Sequence, residues 1–547
     1  MSAETITVRH PVRTSRFPGL ASARIVTRGV LRGALIWGGV FGLMVWELVS
    51  QFSNQYPTRA ARAMLVTTMG SNAGLQAIFG MAHHIDTIGG FTAYHAIGVL
   101  GLIGAVWGLL AATRLTRGEE EAGRWEVLLA GQTTRRRAVA GALAGLGAGL
   151  LTLWAVTAAV TAVVGRGYGA HFSVTASLFM AVAAVAATAM FMAVGALSGQ
   201  LAATRRQAAA MAAAIFGLAY LIRLIAYADM KLMWLRWASP LGWVDELQPL
   251  TGSRPLLLLP VTGFTVVLAV AAVILAGRRD LGASMLPAHD TAPARTRLLT
   301  GPFGLACRLG RRGALGWFAG LAGGGLILGL TAKGTETVFS SQSGGVIAKL
   351  GGTTGGASYL GLAFLIIALV IAIAAAGQVA ATRDEEAEGY LDHLLARPVA
   401  RLPWLAGRFA VSAAVLAGCG LIAGLFTWAG AAATGAGLGL ATLLAAGVNA
   451  VPAAIFVLGV GTLVHGLAPR YTVLAAYGIV AWSFLAEIIG AGIGASHWLL
   501  DTSVLHHIAR APAAPLRWDS TAILAAIGIA AAITGAAAFS RRDLAGA

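Results

Sequence analysis

The chain has 547 residues, of which 57% are hydrophobic and only 11% charged, with a formal net charge of +17. Soluble domains carry about 25% charged residues, so a water-soluble globule is excluded, as are a disordered polar tail and a fibrous repeat. The basic excess would suit nucleic acid, but membrane proteins gather Arg and Lys on their cytoplasmic side; the charge is read as topology and no nucleic-acid partner is expected.

In chain order, residues 1–31 come first. They hold Arg9, Arg13, Arg16, Arg24 and Arg28 before any apolar run. A cleaved signal peptide has a short basic end and then a compact apolar stretch, so this segment is read as a cytoplasmic arm with an interfacial helix. A membrane-spanning helix needs about 20 mostly apolar residues. In the first half, 32–281, spans are expected near 32–51, 93–113, 138–164, 172–204, 207–228 and 257–277. A cytoplasmic linker, 282–312, holds Pro287, Pro293 and Pro302. In the second half, 313–547, spans are expected near 313–332, 358–380, 473–491 and 519–539. Two more come from the uncharged run Phe409–Val464, which turns at Gly430–Gly439. The fold class is therefore an all-α polytopic membrane protein of about twelve helices. Alternating strands are absent, which excludes a β-barrel. With both termini in the cytoplasm of a cell (plasma or inner) membrane, most of the 39 Lys and Arg fall inside, as the positive-inside rule requires.

The halves repeat. Arg32-Gly-Ala-Leu-Ile-Trp37 recurs as Arg312-Gly-Ala-Leu-Gly-Trp317, Thr87-Ile-Gly-Gly90 as Thr353-Thr-Gly-Gly356, and Arg278-Arg-Asp-Leu281 as Arg541-Arg-Asp-Leu544. Six spans per half is an even number, so the repeat is parallel about an axis along the membrane normal. A pathway between two such halves suits a transporter.

The polar segment after the second span repeats best. Its first copy contains Glu119, Glu120, Gly123, Trp125, Glu126, Leu128, Leu129 and Arg135. Its second contains Glu385, Glu386, Gly389, Asp392, Leu394, Leu395, Pro398 and Arg401. Both copies open with acids, pass a glycine and enter a short amphipathic helix with one apolar face. A loop resting on lipid headgroups would explain the arginines but not the matched acids, which gain nothing at an anionic surface. A protein partner with a basic groove explains them.

This pattern resembles the coupling loop of ATP-binding-cassette exporter permeases of the second type. The fused layout and the Arg-Arg-Asp-Leu ends resemble the tetronasin/polyketide-antibiotic (multidrug) exporter permeases of actinobacteria. The resemblance implies that both loops dock on separate ATPase subunits, two copies in all, which bind ATP and Mg. The first half departs from the pattern: Gly131-Gln132-Thr133 stands where the second has Arg397-Pro398-Val399. The two docking sites are thus open to being unequal. A phosphate-binding loop needs Gly-Lys followed by Ser or Thr. The three lysines, Lys231, Lys333 and Lys349, are followed by Leu, Gly and Leu, so this chain holds no such loop, no catalytic residues and no cofactor of its own.

Intramembrane charges are costly and often functional. Arg223 and Glu487 fall at nearly equivalent places in the two halves and, with Glu47, are candidates for an outer gate; interfacial snorkelling is the plain alternative. Phe41, Met44, Phe216, Tyr220, Trp482 and Phe484 are candidates for a pathway taking hydrophobic or amphipathic cargo, although such residues at helical spacing more often pack or face lipid. The segments Ser239–Glu246 and Ser503–His507 roughly correspond between the halves; the resemblance to these exporters implies that they form short re-entrant helices capping the pathway. The histidines at 83–84 and 506–507 lack metal-site spacing, so no metal is expected. The alternative function is a proton-coupled secondary drug transporter, which usually places acids at the bilayer midplane; none is found there. A membrane enzyme would need a catalytic cluster that this sequence lacks.

Overall fold

A computed structural model describes residues 19–67, 76, 79–131, 133–228, 230–279, 298–299, 301–341, 356–396, 398–493 and 497–544. Most of the expected N-terminal arm and linker, the Thr353–Gly356 repeat except Gly356, and Arg397 lie outside these residues. Among the described residues the regular structure is all helical, with no strand. Among the described residues, 11 helices are long and apolar enough to cross a membrane. Helix Thr472–Ile493 occupies the position of the remaining expected span. The protein is an all-α polytopic membrane protein.

Contacts divide the chain into two compact units, Met1–Thr291 and Ala292–Ala547. In the first, the principal helices are α1 (Gly19–Gln55), α2 (Ile88–Thr113), α3 (Arg124–Leu129), α4 (Arg135–Val164), α5 (Val174–Leu201), α6 (Arg205–Ala228), α7 (Pro240–Asp245) and α8 (Leu258–Ala276). In the second they are α9 (Pro302–Ser341), α10 (Gly356–Ala387), α11 (Tyr390–Leu395), α12 (Arg401–Thr434), α13 (Leu440–Asn449), α14 (Val451–Leu467), α15 (Thr472–Ile493) and α16 (Trp518–Arg541).

Two expected boundaries shift. α1 runs unbroken from Gly19, so the interfacial helix and the first span are one rod. α9 begins at Pro302, inside the expected linker, and carries Cys307. Both fronts are basic and amphipathic, which hides them from a search for apolar runs. The expected turn in the long apolar run is present between α12 and α13, where Gly435 and Gly437 have φ of 67° and 71°.

The pairings repeat in each unit. α1 lies along α4 as α9 lies along α12, and α2 packs on α5 as α10 packs on α14. α8 rests on α5 and α16 on α14. In lipid there is little hydrophobic drive between helices, and small residues let backbones approach. Gly459 and Gly466 of α14 face Gly528 and Gly535 of α16 so closely that a Cβ on either would strike the partner's carbonyl.

Candidate coupling loops and charge pairs

In the first unit the chain leaves α2 through a π-helical turn, Arg114–Gly118, and one turn of α-helix, Glu119–Glu121. It reverses at Gly123, with φ 72°, and enters α3; the second unit reverses at Gly389, with φ 75°, and enters α11. This left-handed conformation costs glycine little and other residues more, which explains the matched glycines. The apolar face of each short helix turns inward. Trp125 joins the cluster of Val26, Val30, Leu115 and Ala138, with Leu129 against it. Leu391 packs with Trp404, Leu405 and Phe539, flanked by Leu394 and Leu395. Leu128 is half-buried and Pro398 exposed. The outward face carries Glu126 and Val127 in one copy and Asp392 and His393 in the other. Val127 is 80% exposed, unusual for a β-branched apolar side chain within a helix.

The remaining acids divide in a way the sequence reading did not anticipate. Glu119 pairs with exposed Arg124 at 2.5 Å, and Glu385 with buried Arg408 at 3.0 Å. Glu120 and Glu386 are buried, so neither carboxylate lies on the exposed face of its loop. Each is held instead by the second arginine of the Arg-Arg-Asp-Leu motif. Arg279 donates from Nη1 to Glu120 Oε1 at 2.7 Å and from Nη2 to Oε2 at 2.5 Å. Arg542 donates to the two oxygens of Glu386 at 2.6 and 2.7 Å. Around each pair the partners are nearly the same. Arg117 lies 3.2 Å from Glu120, and Arg383 lies 3.7 Å from Glu386. Arg135 donates to the carbonyl of Arg279, and Arg401 to that of Arg542 at 2.6 Å. The fourth helix differs. Gln200 Oε1 accepts from Arg279 Nε at 3.0 Å, whereas in the second unit the backbone carbonyl of His465 accepts from Arg542 Nη2 at 3.2 Å, and its imidazole lies 3.3 Å from Glu386.

At the opposite ends of the helices, each charge finds its partner within its own unit. Buried Arg223 donates from Nε to Asp245 Oδ2 at 2.6 Å and from Nη2 to Oδ1 at 3.1 Å. Glu487 lies 3.3 Å from His506 and 3.6 Å from Arg510. The gate expected of Arg223 and Glu487 therefore has each charge already compensated inside its own unit. Glu47 is exposed on α1. The expected caps are short helices: a 3-10 stretch at Met230–Ala238 followed by α7, and a 3-10 turn at Val504–His507. One serine fastens each cap to the span before it. Ser239 Oγ donates to Ala219 O at 2.7 Å, and Ser503 Oγ to Ser483 O at 3.2 Å.

Four of the pathway candidates, Phe41, Met44, Phe216 and Tyr220, belong to or pack against one core cluster of the first unit. Phe41 is fully buried beside Gly104 and packs in that core. Met44 packs partly buried against the same core. Phe216 meets Phe191 edge-on, centroids 5.2 Å apart, and stacks with Tyr220 at 6.5 Å. Trp482 and Phe484 are exposed on α15, with Trp482 Nε1 donating to Thr502 at 2.9 Å.

Sequence reasoning missed Arg279, Arg542, Asp245 and Gln200 as partners. The repeat of Arg-Arg-Asp-Leu was the available signal for the first two. A recurring arginine just beyond a last span, where a recurring buried acid precedes a loop, points to a pair.

Residues 30–276 match the family described as "ABC-2 family transporter protein". Residues 299–540 match "Multidrug efflux system permease Rv1217c, C-terminal domain". The chain is 30% identical, over 98% of its own length and 97% of the relative's, to the multidrug efflux system permease protein Rv1217c of Mycobacterium tuberculosis (strain ATCC 25618 / H37Rv). The chain belongs to the ABC-2 transporter family. This ABC-2 permease is therefore the membrane-spanning, non-enzymatic component of an ABC transporter.

Proposed function

We propose that this permease exports hydrophobic or amphipathic compounds, drugs and antibiotics among them. Its loops at 116–137 and 382–402 face the cytoplasm together with both termini. They dock on two copies of a separate ATPase subunit that binds ATP and Mg. ATP binding closes those subunits, the loops carry the motion inward, and each helical half shifts to drive cargo out. The observation that carries this reading is the duplicated short helix, held rigidly on its inner face while Glu126, Val127, Asp392 and His393 stay exposed. The multidrug efflux name of the Mycobacterium tuberculosis relative supports the cargo class. The proton-coupled alternative usually places acids at the bilayer midplane, where the sequence has none; toward the cap end, Asp245 and buried Glu487 pair with Arg223 and with His506 and Arg510.

Native mass spectrometry of the permease purified gently from its own membranes tests the partner. Two copies of a Walker-motif protein are expected. The double variant Glu126→Arg, Asp392→Arg should lose that partner while staying inserted. A bare permease that transports under a proton gradient alone would put the secondary transporter first.

A further inference from the structure

We infer that Arg279 and Arg542 are positioning residues that fasten the last helix of each half to its coupling loop, so that loop motion reaches α8 and α16 directly. This rests on the coupling reading above.

Each arginine gathers three elements, two through its guanidinium and one through its backbone carbonyl. Arg279 sits just after α8. It grips Glu120 at the loop entrance with two bonds and Gln200 at the end of α5 with a third. Its carbonyl takes a bond from Arg135, the first residue of α4. Arg542 ends α16 and does the same with Glu386, the end of α14 and Arg401, the first residue of α12. Paired, two-pronged arginine–carboxylate bonds fix orientation as well as distance. A single carboxylate contact would let the loop pivot; these do not.

In the first half the last helix has little else to move it, whereas α16 also packs closely along α14. In α8 only Val261, Ala272 and Ala276 are buried. A rod with so little packed surface follows whatever its end is fastened to. In the second half the motif's Leu544 also packs into the cluster of Leu391 and Trp404, joining the tail to the short coupling helix by a second route. The same fastening formed twice, from the same motif and the same loop acid, follows from the duplication if transmission depends on it.

The test uses the reconstituted permease–ATPase complex and reads ATP hydrolysed per molecule transported. That ratio is normalised to assembled complexes, so fewer folded molecules leave it unchanged. In Arg279→Gln and Arg542→Gln, the partner should stay bound and ATP turnover should persist, while the ratio rises about tenfold, within the usual range of coupling between sites. If these variants fail to insert, Arg279→Lys and Arg542→Lys keep the charge but lose the two-pronged geometry, and a smaller rise in the ratio is expected. An unchanged ratio in an assembled variant overturns the inference. Loss of partner binding in the arginine variants also overturns it, because the lock would then shape the docking surface instead. A wild-type permease that binds no ATPase overturns the coupling reading itself.

Discussion

The two ends of each half treat the duplication differently. At the loop end the polarity is kept: the acid lies at the loop and the arginine on the tail in both copies. At the cap end it is inverted. Arg223 of α6 faces Asp245 of its cap, whereas Glu487 of α15 faces His506 and Arg510 of its own. The serine that anchors the cap is meanwhile unchanged. A pair that needs only to neutralise itself can exchange signs between copies. The tail arginine cannot, because it donates to acceptors on several elements at once. A guanidinium has five N–H donors, and an ionised carboxylate has none.

Swapping signs at each end should break this comparison most forcefully. Glu120→Arg with Arg279→Glu leaves Gln200 Oε1 without its donor and sets the new arginine beside Arg117. Its cost should be on the order of 3–5 kcal/mol, as for breaking a buried pair, read as a fall in thermal stability of detergent-purified permease. Arg223→Asp alone should cost a similar amount. Adding Asp245→Arg should recover most of that loss, since the cap end needs only neutrality. Recovery at the loop end, or none at the cap end, would remove the distinction drawn here.

A smaller effect separates the two locks. Arg279 Nε is bonded to Gln200, while Arg542 Nε has no hydrogen-bond partner among the described residues. Gln200→Ala would leave the first lock like the second, at a cost of about 1–3 kcal/mol for an unsatisfied buried donor. The loss should appear as a lower melting temperature with the ATPase still bound. No change would mean that water or a shifted side chain fills the place.

The spans and the loop helices were legible in the sequence because apolar length and repetition are local signals. The glycine-rich turn at 430–439 and the reversals at Gly123 and Gly389 were visible for the same reason. The starts of α1 and α9 were not, because Arg24, Arg28, Arg308 and Arg311 interrupt the apolar count where the helix merely leaves the apolar layer. The locks were half legible: both members recur, but Glu120 and Arg279 stand 159 residues apart, and no periodicity links them. The partner of Arg223 was not legible either: Asp245 lies 22 residues onward on the cap, and neither periodicity nor the duplication links the two.

The cap end of the first half also carries the weakest predicted effect, a pH dependence. His83 lies beside that cap, its Nε2 3.0 Å from the Gln248 amide nitrogen, so a neutral imidazole accepts there. Burial lowers the His83 pKa below its ordinary value, and nearby Glu246 only partly opposes this. The folded protein therefore takes up its proton at lower pH than the unfolded chain does. The stabilisation is complete above about pH 6.5, the unfolded value, and is lost as pH falls through the region below it. His83 is only half enclosed, so the slope should be shallow. His83→Gln, measured by thermal melts at stepped pH, should flatten the slope below pH 6.5 and leave the lock variants' response to acid unchanged. A slope that persists in His83→Gln would assign the dependence to another group.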